Sequence, residues 1–240
     1  MPAKGHSPAG IYVQTGSEHL LFDAGAGSLQ RLRQIGVTLL DLDRVFLTHF
    51  HVDHCLDIVS ILFAMRLPNL RRRKALYLYG PRGLKRLIRG LDTAFNGWLA
   101  PKGYRLIAQE LEDKAMVALK RGRIFVRRVN HASAEAVGYR LTVGTKSLAY
   151  SGDTDMCHQI GHLGKRADCL ILECSTRDDQ KVEGHLTPSE CGYLAADSGC
   201  RRLVLTHFYP VFRGYDIRRR VRDFFHGPLT LARDFTTFRV

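Results

Sequence analysis

Short apolar runs recur along the chain between polar turns, and this pattern predicts many short β-strands. Residues 10–14 and 19–23 flank a Thr15-Gly16 turn and predict an opening hairpin. Further strands are predicted at residues 44–48, 75–79, 123–129, 137–143, 147–150, 169–174, 202–206 and 229–238. Many short strands at this spacing indicate a protein built around β-sheets.

Three segments between these strands carry apolar residues at helical spacing. After Pro81, an apolar face made by Leu84, Leu87, Ile88 and Leu91 lies opposite a basic one made by Arg82, Lys85, Arg86 and Arg89. Thr187-Pro188-Ser189-Glu190 is typical of a capping box with proline at the first helical position. Ile217, Val221, Phe224 and Phe225 predict a third amphipathic helix. Hairpins with interspersed helices favour an α/β (α+β) class, with sheets covered by helices, over a purely parallel doubly wound sheet.

The length and composition are those of a globular protein. With 240 residues, 45% hydrophobic and 25% charged, we expect one domain over residues 1–240. No apolar run reaches the ~18 residues of a membrane span, and the first ten residues do not resemble a signal peptide. The six cysteines include no CxxC pair, which argues against a disulfide framework. We therefore expect a cytoplasmic protein that makes no membrane contact.

The net charge of +13 is concentrated in segments that contain no acidic residue. One spans residues 66–89 and includes Arg71, Arg72, Arg73 and Lys74; the others are residues 120–128 and 218–222. A solvated surface is the ordinary explanation for any one such segment. Three together favour a polyanionic partner such as RNA or a phosphorylated metabolite, with residues 71–74 as candidate contacts.

The strongest chemical signal is an HxHxDH motif at the end of the strand predicted over residues 44–48. It places three imidazoles and a carboxylate, those of His49, His51, Asp53 and His54, within six residues. Such a segment can supply ligands to two neighbouring metal ions from one turn. Nitrogen and carboxylate ligands suit zinc, and iron or manganese is also possible.

Three further candidate ligands, His131, Asp153 and His207, follow predicted strands. A lone histidine is usually structural or simply exposed. Strand ends, however, are where α/β folds present polar groups to a shared cleft. Their positions therefore favour a common metal site with the HxHxDH motif.

The segments LFDAG, THFHVDH, NH, SGDT, GHLTPSE and LTHF occur in this order over residues 10–210. Together they resemble the metallo-β-lactamase superfamily, and most closely its ribonuclease Z-like branch. The resemblance implies a four-layer αβ/βα sandwich and a site for two zinc ions. It implies that one ion is held by His49, His51 and His131, the other by Asp53, His54 and His207, and that Asp153 bridges them.

The chemistry implied by this resemblance is metal-assisted hydrolysis by a metal-bridging hydroxide, which suits a phosphodiester substrate. Asp53 would orient the hydroxide or take its proton. His185 would stabilise the leaving oxygen or give it a proton, although a structural loop histidine is the alternative. Asp23 would orient a ligand histidine, unless it only forms a turn, and Glu173 could pair with His185.

Two departures from the branch affect the expected substrate. Ribonuclease Z enzymes that trim transfer RNA carry a long arm, which in bacterial forms lies between the ligands matching His131 and Asp153. Only 21 residues separate these positions here, so we expect a hairpin and no arm. The first strand usual in relatives, which ends in a Gly-Thr-Gly turn, also has no counterpart.

These departures leave several functions open. A small-molecule hydrolase acting on a cyclic phosphodiester, sulfate ester, lactone or thioester is the main alternative. A β-lactamase is less favoured because Asp153 has no place in the usual β-lactamase site. A nucleic-acid-binding protein with a structural metal is disfavoured because the seven candidate ligands include no cysteine. A homodimer is expected by analogy only.

Overall fold

The computed structural model describes residues 5–67, 70 and 72–240. The chain divides into two compact units. The N-terminal unit is Pro8–Leu111, and the C-terminal unit is Glu112–Val240 together with the residues up to Ser7. Each unit contains one β-sheet. A single domain over the whole chain stays a prediction.

The N-terminal unit is built on a five-stranded sheet in the order β1-β2-β3-β4-β5. The strands are β1 (Ile11–Thr15), β2 (Glu18–Phe22), β3 (Arg44–Phe46), β4 (Leu76–Gly80) and β5 (Leu106–Glu110). Strands β1 and β2 form the predicted hairpin, and the remaining pairs are parallel. The helices of this unit are α1 (Ser28–Gln34), α2 (Val52–Cys55), α3 (Asp57–Met65) and α4 (Leu84–Ala94).

Helix α3 anchors the core of the N-terminal unit. Its residues Ile58, Ile61, Leu62 and Met65 are fully or almost fully buried, in one cluster with Val45 of β3 and with alternate residues of β4. Burial of each such side chain stabilises the fold by roughly 1.5–3 kcal/mol. Because α2 directly precedes α3, this packing also fixes the segment that carries the HxHxDH motif.

The C-terminal unit is built on a seven-stranded sheet in the order β12-β11-β10-β9-β8-β7-β6. Its strands are β6 (Met116–Leu119), β7 (Gly122–Arg128), β8 (Val137–Val143), β9 (Lys146–Tyr150), β10 (Cys169–Glu173), β11 (Leu203–Thr206) and β12 (Leu229–Leu231). Pairs from β6 to β9 are antiparallel, and pairs from β9 to β12 are parallel. Helices α5 (His158–Gly164), α6 (Pro188–Ser198) and α7 (Ile217–Arg222) contribute buried residues to its core.

Two local predictions in the C-terminal unit are confirmed. The Thr187 hydroxyl accepts a hydrogen bond from the Glu190 backbone, and the Glu190 carboxylate accepts one from Thr187 N, which completes the capping box of α6. Between His131 and Asp153 the chain forms only the β8–β9 hairpin. The long arm of the tRNA-trimming enzymes is therefore absent from this position.

The mixed α/β class is confirmed, with corrections at the level of single elements. Residues 229–238 were expected to form one strand, but only Leu229–Leu231 pairs with β11. Strands β5 and β6 were not predicted. All six cysteines are free thiols, as expected from their spacing. Within the described ranges, no helix is both long enough and apolar enough to cross a membrane.

Candidate metal centre

In the N-terminal unit, the Asp23 carboxylate organises the HxHxDH segment. Asp23 follows β2 with a left-handed backbone (φ 57°) and is fully buried. It accepts hydrogen bonds from Thr48 N at 2.7 Å and Thr48 Oγ1 at 2.9 Å, and it contacts His54 Nδ1 at 2.8 Å. One carboxylate thus contacts both the start of the motif and its last histidine, and the orienting role of Asp23 stays a prediction.

The three imidazoles of the motif lie close together. The ring of His49 lies 4.6 Å from that of His51 and 4.1 Å from that of His54, measured between centroids. His49 and His54 are buried, whereas His51 is exposed and the Asp53 side chain is 33% exposed. His49 Nδ1 lies 3.0 Å from Thr48 Oγ1. The segment from His49 to His54, which ends in the single turn α2, therefore gathers the four motif side chains into one group.

Gly25 allows the chain to approach this turn closely. A Cβ atom at position 25 would lie 2.1 Å from the backbone oxygen of Asp53. The neighbouring Ala24 N donates to His54 O at 2.7 Å, and Ala9 N donates to Asp53 O at 3.0 Å. The glycine of the LFDAG segment thus lets two other backbone segments hold the turn in place.

In the C-terminal unit, His131, Asp153 and His185 form a second group. One potential ligand atom of each lies within 4.8 Å of the others. His131 and Asp153 are buried. His131 Nδ1 contacts the carbonyl oxygen of Gly184 at 2.7 Å, and the His131 and His185 rings lie 5.0 Å apart. The loop before α6 therefore contributes both His185 and a partner for His131.

Glu173, at the end of β10, forms hydrogen bonds with several residues next to this cluster. Its Oε1 lies 3.0 Å from His185 Nδ1 and accepts hydrogen bonds from Thr154 N and Leu186 N, both at 3.2 Å. Its Oε2 accepts one from Ser175 Oγ at 2.6 Å. Burial raises the pKa of Glu173, while the hydrogen bond with His185 acts in the opposite direction. Glu173 and His185 are thus in direct contact, as their predicted pairing requires.

His207 follows β11 and joins the same network. Its Nδ1 lies 2.9 Å from Ser175 Oγ, and its Nε2 lies 3.6 Å from Asp153 Oδ1. The other Asp153 oxygen lies 3.8 Å from His185 Nδ1. His207 has a left-handed backbone conformation (φ 63°). Asp153 thus lies between His185 and His207. The Ser175 hydroxyl links the Glu173 carboxylate to the His207 ring through one hydrogen bond to each.

The structure corrects the prediction for Arg72. This arginine is 4% exposed, and its guanidinium donates to the carbonyls of Leu39, Leu42 and Ala75 at 2.6–2.8 Å. It therefore holds backbone inside the N-terminal unit instead of facing a polyanion. Arg73 is exposed, and Lys74 is paired with Asp43 at 2.8 Å. Arg71 lies outside the described residues.

The donor chemistry of both groups fits divalent metal ions. His49, His54, His131 and His207 each have Nδ1 within 3.0 Å of an oxygen from a hydroxyl, a carboxylate or a carbonyl. Such contacts fix the ring orientation and make Nε2 the nitrogen that would bind a metal. Thr48, Ser175 and the Gly184 carbonyl, which supply three of these contacts, were not singled out by the sequence.

The comparisons with known proteins agree with this geometry. Residues 18–208 match the β-lactamase superfamily domain. The chain belongs to this family. Protein Rv1339 of Mycobacterium tuberculosis is 30% identical in a match that covers 98% of this chain and 86% of the length of Rv1339. Ribonuclease Z of Methanosarcina mazei is 26% identical over 86% of this chain and 83% of its own.

Among solved structures, the metallo-β-lactamase fold protein YhfI of Bacillus subtilis is 25% identical, with a TM-score of 0.82, over 97% of this chain and 91% of its own. The expected resemblance is therefore confirmed. This β-lactamase superfamily protein is a ribonuclease Z-like hydrolase of the metallo-β-lactamase fold, a fold that implies binding of divalent metal.

Proposed function

We propose that this hydrolase cleaves phosphodiesters as a ribonuclease Z-like endonuclease dependent on two metal ions. Zinc is the preferred ion for the nitrogen and carboxylate ligands, and manganese or iron would also be accepted. The proposed ligands are His49, His51, Asp53, His54, His131, Asp153 and His207. When bound, two such ions would lower the pKa of a water molecule between them and polarise the scissile phosphate.

One observation carries the proposal most directly: the 3.0 Å contact between His185 Nδ1 and Glu173. A buried carboxylate on one ring nitrogen fixes the ring and stabilises its protonated form. His185 Nε2 would then give its proton to the leaving oxygen as the phosphorus–oxygen bond breaks. His185 is partly exposed, which lets a substrate reach it.

Asp53 is proposed to act on the attacking water, whereas His185 acts on the leaving oxygen. Its side chain is one-third exposed, and one of its oxygens lies 4.0 Å from His54 Nε2. A carboxylate at this position can orient the attacking water and accept its proton. Asp53 would then be the general base and His185 the general acid.

RNA is the proposed substrate class because curated relatives of similar length are ribonucleases Z. In addition, Arg82 and the α4 residues Lys85, Arg86 and Arg89 form an exposed basic surface. The short β8–β9 hairpin favours the alternative, a small-molecule phosphodiester or other ester, since the tRNA-gripping arm is absent. A cytoplasmic location and a homodimer stay predictions.

A side-by-side assay of zinc-loaded protein tests the proposal. We expect hydrolysis of bis-p-nitrophenyl phosphate and cleavage of a 3′-extended tRNA, with little activity on a lactone or a β-lactam. Asp53→Asn, which keeps the shape of the side chain, should abolish both activities. Cleavage of the aryl diester without any cleavage of RNA would support the small-molecule alternative. Activity on the lactone alone would exclude both phosphodiester functions.

A further inference from the structure

Lys181 lies in the loop between β10 and α6, four residues before His185. Its ammonium group contacts three oxygens: Asp155 Oδ1 at 2.8 Å, His185 O at 2.6 Å and Glu190 Oε2 at 2.6 Å. A lysine ammonium has three donors, so these contacts use its full capacity. Its side chain is 32% exposed, which leaves the contacts partly shielded from water.

The three oxygens belong to three different parts of the C-terminal unit. Asp155 lies two residues after Asp153, in the segment that follows β9. His185 O belongs to the loop itself, and Glu190 closes the capping box of α6. Lys181 therefore ties the loop that carries His185 to the segment that carries Asp153 and to the start of a packed helix.

Asp155 strengthens the same connection from the other side. Its second oxygen accepts a hydrogen bond from Gly184 N at 2.9 Å. The carbonyl of that glycine contacts His131 Nδ1. Asp155 thus holds the backbone of Gly184, directly before His185, and Lys181 holds the carbonyl of His185 itself.

The charges at this point favour the arrangement. Burial lowers the pKa of Lys181, but hydrogen bonds with Asp155 and Glu190 outweigh it and bring the pKa above its ordinary value. The Lys181 ammonium is therefore charged at neutral pH.

We propose that Lys181 is a positioning residue that sets where the His185 imidazole lies relative to Glu173 and Asp153. This inference rests on the proposed role of His185 in protonating the leaving oxygen. Lys181 itself has no donor left for a substrate. Its contribution is to hold the His185 backbone, so that the ring is already in place when the leaving oxygen develops charge.

Aryl esters of thymidine 5′-phosphate, from the p-nitrophenyl to the phenyl ester, provide the kinetic test. Nitrophenolate leaves readily without a proton, whereas the more basic phenolate depends more strongly on protonation by a general acid. In zinc-loaded Lys181→Met, we expect kcat for the phenyl ester to fall about 10- to 100-fold. For the nitrophenyl ester kcat should fall less than about 3-fold, with KM unchanged for both. Lys181→Arg should restore part of the loss.

A double-mutant cycle separates this inference from the proposed function. If Lys181 acts through His185, Lys181→Met should have almost no further effect in a His185→Ala background. A normal His185→Ala enzyme would contradict the proposed function. An impaired His185→Ala enzyme together with a normal Lys181→Met enzyme would contradict the role of Lys181 alone. Equal losses for all esters would also overturn that role.

A measurement that does not depend on turnover completes the test. In Lys181→Met, the proton on His185 Nδ1 should exchange with solvent faster by NMR, because its contact with Glu173 is loosened. Lys146→Met, which removes an exposed lysine near Asp168, should leave that exchange unchanged. If Lys181→Met does not fold, Asp155→Asn offers the same test with a smaller change. Unchanged exchange in a folded variant of either kind would refute the inference.

Discussion

The Asp23 carboxylate lies 2.8 Å from His54 Nδ1, and both side chains are fully buried. The same carboxylate also accepts hydrogen bonds from the backbone N–H and the hydroxyl of Thr48. Since Thr48 contacts His49, one acidic group fixes two of the proposed ligands, one directly and one through a hydroxyl. The arrangement is a carboxylate–histidine pair of the kind that orients metal ligands.

Replacing Asp23 with asparagine should weaken metal binding. Asparagine keeps the shape of the side chain but loses the negative charge that holds His54 in its ligand tautomer. We expect zinc affinity to fall about 10- to 100-fold, measured by competition with a chelator. Asp92→Asn, at a carboxylate that accepts a hydrogen bond from Leu99 N, is the control and should bind zinc normally. Equal affinities in the two variants would argue against the orienting role.

The number of bound ions is the second expected outcome. Elemental analysis of folded, zinc-loaded protein should give two ions per chain, because the seven proposed ligands exceed what one tetrahedral zinc takes. His54→Ala should lose at least one of them. A stoichiometry of one in both proteins would show that the proposed ligands do not form a dinuclear centre.

His185→Ala should separate metal binding from chemistry. If His185 serves the leaving group, the variant should keep both ions. Its turnover should fall about 10²- to 10⁴-fold with esters that have a poor leaving group. His185 also lies within 4.8 Å of the ligand atoms of His131 and Asp153, so the metal content of the variant is decisive. Loss of an ion would instead identify His185 as a ligand.

The exposed basic face of α4 should contribute to RNA binding. Each neutralised phosphate releases condensed counterions, with a slope of log K against log salt near −0.7 per contact for single strands. Replacing Lys85, Arg86 and Arg89 with alanine should make this slope less negative. The control variant removes the same charge from Lys146, Lys165 and Arg201, which are exposed in the C-terminal unit. An identical slope in the two variants would contradict a role for α4.

Asp178 predicts a dependence of stability on pH. Burial raises the pKa of Asp178, but hydrogen bonds, first from Tyr215, bring it below the ordinary value of 3.8. A carboxyl whose pKa is lower in the folded state stabilises the fold above its unfolded pKa and loses that effect as pH falls through the folded pKa. The stability difference between wild type and Asp178→Asn in urea should therefore shrink below about pH 4. A constant difference from pH 7 to pH 3 would be inconsistent with this.

Elements with a strong local signal were predictable from the sequence. The β8 range was predicted without error, and the capping box of α6 has the predicted partners. By contrast, β5 has no clear alternation and is held by parallel pairing with β4, about 30 residues earlier. The predicted strand at residues 229–238 stops at Leu231 because its neighbour β11 has only four residues to pair with.

The candidate site shows the same division. The HxHxDH motif and the strand-end positions of His131, Asp153 and His207 identified the proposed ligands. Thr48, Ser175 and Lys181 act through a hydroxyl or an ammonium group that meets partners from other segments. Gly184 acts through a carbonyl oxygen, which every residue possesses. No residue-type pattern marks such contacts, because they exist only once the loops are folded.

The left-handed backbone at Asp23 and His207 affects which variants can be made at this site. Aspartate, asparagine and histidine tolerate such a conformation, whereas β-branched residues do so poorly. The backbone as well as the side-chain chemistry therefore restricts which residues these two positions can hold. Asparagine at either position would retain the turn while removing a charge or an imidazole. A protein carrying both changes would therefore be a folded, metal-deficient control for every assay of hydrolysis.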